Sequence, residues 1–286
     1  MKTTFGALGA ALAVSLTMNA SAETFVFTAI PDQDETQLVE RFGAVEDYLE
    51  EKLDVDVRYI PVKSYAAAVT AFRNNQVQLA WFGGLSGVQA RRLVPGSEAI
   101  AQGIEDTEFQ SYFIANVGAG IDETGELTDQ LRGKSFTFGS KGSTSGRLMP
   151  EFYIRQEFSQ APEDVFSRVG YSGNHTRTIR LVEAGTYDAG AVNYKVWQTA
   201  VKEGDVDKDK VKVIWETPYY PDYQWTIRGD VNERFGEGFK EKVTQALIDM
   251  DDPELLERFP REGFIPASNE DYKAIEETAE ELGLLR

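Results

Sequence analysis

Apolar residues along this chain come in two rhythms that take turns. Residues 25–30, 55–62 and 77–82 are short runs rich in Val, Ile and aromatics, the composition of strands. Between the first two runs, Leu38, Phe42, Val45, Leu49 and Leu53 recur at three- and four-residue steps, which sets them on one face of a helix. Asp32 or Asp34 can cap that helix, because Pro31 ends the strand before it. Residues 64–75 (SYAAAVTAFRNN) predict a second helix, with Ser64 as cap and small residues that allow close packing. This part reads βαβαβ.

The middle of the chain repeats the alternation. Residues 112–117, 135–138, 169–172, 189–193 and 211–215 are strand-like, while 144–158 and 175–184 are helical. Strands that alternate with helices predict parallel sheets covered by helices, so the expected class is α/β. The charged stretch 203–210 reads as a surface loop, and in the last helix Tyr272, Ile275, Ala279 and Leu282 make one apolar stripe. Two extended segments, 111–117 and 223–228, are candidates for crossing between two βα groups. That order gives a discontinuous first lobe, 23–115 plus 223–286, and a second lobe, 116–222.

The first 22 residues change the picture of where the chain works. Lys2 supplies a positive start, residues 5–18 are mostly apolar and small, and Ala20-Ser21-Ala22 offers an A-x-A cleavage site, so they read as a secretory signal rather than a buried helix. There is no cysteine, which excludes a disulfide framework, a thiol nucleophile and a lipidated anchor. We expect a free, unlipidated, monomeric protein in the periplasm. Lys2 is the signal's only charge, so the remaining chain has 28 basic against 47 acidic residues, net −19. Such a balance argues against nucleic acid and anionic membranes as partners.

The strongest local motif is GSKGSTSGRLMP, residues 139–150, between a strand and a helix. Gly142 and Gly146 allow tight turning, and Ser143, Thr144 and Ser145 place three hydroxyls beside the unpaired amides that open a helix, the chemistry of an anion site. Each hydrogen bond to a charged group contributes roughly 1.5–3 kcal/mol. Four give about 8 kcal/mol, near a micromolar constant before association costs, so a second lobe must close over the ligand. Gly-Ser-Thr-Ser-Gly resembles a nucleophile elbow but has Thr144 at its centre, and a hydrolase would have only His175 as base. Neither metal nor cofactor motifs are present, and no enzyme activity is expected. His175 sits in a second strand-to-helix turn, where it can face the same cleft, because parallel strands collect ligands at their carboxyl ends.

Taken together, Ser64-Tyr65, the stretch QLAWFGGLS at 78–86, Ser143-Thr144-Ser145-Gly146 with Pro150, and Gly173-Asn174-His175 resemble the phosphate, phosphite and phosphonate-binding proteins of ABC transporters. PVKSYAAAVTAFRNNQVQLAWFGGLSGVQAR looks closest to the branch labelled selenate transporter binding proteins. The resemblance implies a type II periplasmic-binding fold that closes by a hinge on a small tetrahedral oxyanion and docks on an ABC permease. It implies ligand contacts from Tyr65 and Gly83 in the first lobe and from Ser143, Thr144, Ser145 and His175 in the second, with Asn193 and Tyr223 lining the site. Where relatives carry carboxylates, this chain has neutral Asn193, and Tyr223 follows Asp222. A site of donors without a carboxylate would favour a dianion, selenate or sulfate, over phosphonate or phosphite. A sensor subunit for a membrane receptor kinase is the alternative role.

Overall fold

The computed structural model describes residues 23–285, so the signal segment lies outside the described residues. Strand β1 (Phe25–Ala29), helix α1 (Glu35–Leu53), β2 (Val57–Tyr59), α2 (Tyr65–Arg73), β3 (Leu79–Phe82), α3 (Gly84–Leu93) and β4 (Glu98–Gly103) follow in order. The α1 stripe Leu38, Phe42, Val45, Leu49 and Leu53 is buried as a unit, and Ser64 caps α2 by accepting from the Ala67 amide at 3.1 Å. Residues 104–110 then lead to a second group. It comprises β5 (Ser111–Asn116), β6 (Ser135–Phe138), α4 (Met149–Phe158), the short α5 (Pro162–Val165), β7 (Arg168–Tyr171), α6 (His175–Glu183), β8 (Ala189–Asn193), α7 (Tyr194–Glu203) and β9 (Val211–Glu216). Residues 217–223 return the chain to β10 (Gln224–Ile227), after which helices flank β11 (Phe264–Pro266).

Two sheets result, one to a lobe. The first has six strands in the order β11-β4-β10-β3-β1-β2 and the second five in the order β7-β6-β8-β5-β9. Each has a parallel heart, β2-β1-β3 and β7-β6-β8. The expectation of wholly parallel sheets is corrected by β10, antiparallel to β3 and β4, and by β5, antiparallel to β8 and β9. The crossing points are corrected too. Residues 111–117 and 223–228 hold β5 and β10, strands inside sheets, because their buried apolar side chains pack on both faces. The chain crosses one step earlier at each place, through 104–110 and 217–223, so the boundary expected at 115 falls inside the second sheet. One antiparallel rung ties the crossings: the Phe109 amide donates to the Tyr220 carbonyl at 2.8 Å and the Tyr220 amide to the Phe109 carbonyl at 3.0 Å. The Arg261 guanidinium, gripping buried Asp106 with two bonds of 2.7 Å, anchors the first crossing to the lobe behind it.

Aromatic rings fill the first lobe, where Trp225 packs against Phe27, Phe42, Trp81 and Phe259. Each such ring removed from water contributes on the order of 1.5–3 kcal/mol. That rigidity holds the strand ends in place, and the site is built on those ends. No helix among the described residues is long and apolar enough to cross a membrane.

Candidate functional site

Strand β6 delivers the chain to Gly139, whose amide donates to the Gly146 carbonyl at 2.7 Å and folds the serine loop back on itself. Neither glycine has room for a side chain: a Cβ on Gly139 would lie 3.3 Å from the Gly146 Cα, and one on Gly146 would lie 3.0 Å from the His175 ring. Ser143 caps the turn by accepting from the Gly146 amide at 2.9 Å. The Leu148 amide reaches the Ser143 carbonyl five residues back, at 3.0 Å, so the helix opens with a wide π turn, Thr144–Leu148. The Thr144 and Ser145 amides, the first two of this helix, donate to no atom of the described residues. Ser143, Thr144 and Ser145 are all buried, and the Ser145 hydroxyl has no protein partner.

His175 opens α6 just after Gly173, which takes the left-handed conformation at φ +96°. Its Nδ1 accepts the Asn193 amide at 3.2 Å, so the neutral ring carries its proton on Nε2. Burial pushes the pKa of this imidazole down to about 4 against the pull of the Asp32 charge. At neutral pH it is therefore an uncharged donor, and Nε2 is buried without a protein partner. Asn193 has both ends engaged: its Oδ1 accepts from the Val196 amide at 3.1 Å and its Nδ2 donates to the Tyr223 hydroxyl at 2.9 Å.

From the first lobe, Tyr65 begins α2 and packs so closely on the serine loop that a Cβ on Gly142 would sit 3.1 Å from its own Cβ. Its hydroxyl is buried and unpartnered. Burial, then the Asp32 charge, holds that phenol protonated, its pKa well above the usual value. The turn into α3 behaves differently. Gly83 donates to Ser86 Oγ at 3.1 Å, Gly84 to Asp222 Oδ1 at 2.9 Å, and Leu85 to Thr144 Oγ1 at 3.0 Å. Gly83 thus supplies no free donor, and its missing side chain is what lets Asp222 approach, since a Cβ there would lie 3.0 Å from Asp222 Oδ1.

Two carboxylates complete the enclosure. Asp222 is 1 % exposed, has Oδ2 without a protein partner, and stands beside the Thr144 and Ser145 hydroxyls. Burial raises its pKa to about 7, opposed by the Gly84 amide. Asp32, expected only as a helix cap, is buried at the end of β1. Its Oδ2 accepts from the Tyr223 hydroxyl at 2.9 Å, its carbonyl accepts from the His175 amide at 2.9 Å, and its Oδ1 has no protein partner. The same strand-end rule that singled out His175 applies to Asp32, which directly follows β1 and Pro31. These two acids overturn the premise of a carboxylate-free site, on which the selenate and sulfate preference rested.

The free polar atoms brought together are thus the Tyr65, Ser145 and His175 donors and the Asp32 and Asp222 acceptors. The expected contacts Thr144, Asn193, Tyr223 and Gly83 instead bond to protein groups around them. A cleft of about 590 Å³, lined by Gln37, Arg41, Glu203 and Glu257 among others, lies elsewhere and includes none of these atoms. Among the described residues no cluster of His, Asp or Glu is placed to hold a metal ion.

Residues 27–272 match the family described as ABC transporter, phosphonate, periplasmic substrate-binding protein. The chain belongs to this family. Its members bind substrate for an importer and are not enzymes, which accounts for a site of fixed donors without a nucleophile. The chain is 41 % identical over 265 residues, 90 % of this chain and 89 % of the other, to "Probable ABC transporter phosphite binding protein PhnD1" of Prochlorococcus marinus strain MIT 9301. The solved structure of PhnD1 from that organism in complex with methylphosphonate superposes with a TM-score of 0.86 at 40 % identity, covering 91 % of this chain and 98 % of that one. The phosphonates-binding periplasmic protein of Escherichia coli strain K12 is 26 % identical over 176 residues, 60 % of this chain and 51 % of that one. Family membership implies a small anionic ligand and a membrane permease as partners.

Proposed function

We propose that this protein captures a small phosphorus oxyanion, phosphite or methylphosphonate, in a form that still carries a proton, and delivers it to its permease. The observation that carries this reading is the mixed polarity of the unpartnered buried atoms: three neutral donors face two carboxylate oxygens. A fully deprotonated dianion can satisfy the donors but offers no hydrogen to the unpartnered Asp32 Oδ1 and Asp222 Oδ2. A hydrogen phosphite or hydrogen methylphosphonate offers an O–H to Asp222 and bare oxygens to Tyr65, Ser145, His175 and the Thr144 and Ser145 amides. The likeness to PhnD1, solved with methylphosphonate, supports the same ligand class. The two lobes, 23–110 with 224–285 and 111–216, close about the tied crossings, and the closed face is what the permease reads. The mature chain begins at Glu23, carries no lipid and works as a monomer.

Calorimetric titration of the mature protein against phosphite, methylphosphonate, phosphate, sulfate and selenate at pH 7 tests this. Phosphite or methylphosphonate binds at micromolar concentration or tighter, and selenate and sulfate give no heat. Selenate bound as tightly as the best phosphorus ligand would overturn the reading.

A further inference from the structure

A carboxylate next to an anion site is unfavourable by Coulomb's law, so Asp32 needs a reason to be there that outweighs the repulsion. Its bonds give one. Asp32 leaves β1 in the first lobe, and its carbonyl accepts the His175 amide, the first N–H of α6 in the second lobe, at 2.9 Å. Its Oδ2 accepts the Tyr223 hydroxyl at 2.9 Å, and that same hydroxyl accepts Nδ2 of Asn193, on the second lobe's β8, at 2.9 Å. Asn193 in turn supplies the amide that fixes the His175 ring. Two bonds between the lobes therefore end on Asp32, one directly and one through a single hydroxyl. Asp32, Tyr223, Asn193 and His175 are all at most 4 % exposed.

We infer that Asp32 is a positioning residue: it clasps the lobes through Tyr223 and Asn193 independently of ligand, and so aims His175 Nε2 before any oxyanion arrives. Asp suits the task because its short side chain carries an acceptor oxygen to within 2.9 Å of the Tyr223 hydroxyl. The rim pair Arg180–Asp34, at 3.1 Å with side chains 63 % and 37 % exposed, also spans the lobes but lies in water, where such pairs contribute little. Burial makes the Asp32 relay the stronger link. It also sets the closed geometry without a single ligand contact by Tyr223 or Asn193.

The absence of cysteine allows a clean test. Glu51→Cys and Glu163→Cys, both exposed and one in each lobe, carry a dye pair whose energy transfer reports lobe separation in ligand-free protein. Tyr223→Phe keeps the ring stacked on Trp81, 5.5 Å away, while losing the hydroxyl, so the fold is retained. It lowers the ligand-free transfer efficiency and weakens phosphite and methylphosphonate alike by roughly tenfold, leaving their ratio fixed. Asp32→Ala does the same, and Asp32→Asn, whose amide oxygen still accepts from Tyr223, restores most of the transfer. Unchanged ligand-free transfer in both Tyr223→Phe and Asp32→Ala would overturn the clasp, as would loss of affinity for one ligand only. Because the transfer is read without ligand, this outcome is separable from the ligand assignment.

Discussion

Two helices in this molecule begin in the same way, after a parallel strand and a glycine-bearing turn, yet their opening amides do opposite things. At α3 the amides of Gly83, Gly84 and Leu85 all bond to protein oxygens, two of them the side chains of Asp222 and Thr144 from beyond the first lobe's own strands. At the π turn after β6 the Thr144 and Ser145 amides bond to nothing in the described residues. The first helix start is a fastening and the second is a grip. Sequence glycine content does not separate them. What separates them is which side chains reach the opening amides, since Asp222 and Thr144 fill those of Gly84 and Leu85 while no side chain of the described residues fills those of Thr144 and Ser145.

The sharpest probe of this contrast is the acid beneath the fastening. The Asp222 carboxyl is raised from 3.8 to about 7, so the stability it contributes is full below the unfolded value and is lost as pH rises from about 4 to about 7. Asp222→Asn keeps an acceptor for Gly84 but cannot titrate. Its advantage over the natural protein should therefore grow across that window, to about 4 kcal/mol from three pH units at about 1.36 kcal/mol each, then level off. Urea unfolding at pH 4.5, 6 and 8 measures it, and a pH-independent difference would mean that the carboxyl is not buried as described. His175 has the opposite sign, since with its pKa depressed from 6.5 to about 4 stability is lost as pH falls through that range.

The grip itself is tested by Gly146→Val, whose side chain would run into His175 and Gly139. Binding of phosphite or methylphosphonate should fall about a hundredfold, through loss of two charge-assisted donors, and the melting temperature should fall as well, because the buried turn has no room for the added side chain. Retained affinity would show that the turn does not hold the oxyanion. Thr144→Val removes the acceptor for Leu85 and the hydroxyl beside Asp222. It should weaken every ligand by roughly tenfold without altering their order, and unchanged affinity in titration would remove Thr144 from the closure.

Much of this was legible beforehand where one signal suffices. The α1 stripe and the Tyr272, Ile275 and Ala279 face followed from periodicity and are buried, Leu282 of the same stripe is half-buried, and exposed Ser64 caps α2 as local bonding requires. Ser145, Tyr65 and His175 were reached through motif and resemblance. What escaped depends on partners distant in sequence. Asp32 and Asp222 lie 190 residues apart and look like ordinary loop acids until the lobes bring them to one place, and the antiparallel entry of β5 and β10 leaves no mark in a run of apolar residues. Asn193 and Tyr223 lie beside His175 and Asp32, but a sequence cannot say that each already has a protein partner.

The rung between Phe109 and Tyr220 does not tie the crossings alone, and the tie has a mechanical consequence. Two separate tethers would let the halves twist, slide and swing. Stitched by that rung and by the Asp222 amide, which donates to the Asp106 carbonyl at 3.0 Å, they act as one flexible axle, along which swinging is easy and sliding is resisted by three backbone bonds of 2.8 to 3.0 Å. In the hinge closure proposed above, every stroke then returns the same faces to the same alignment, and the cargo meets an unaltered geometry on each cycle.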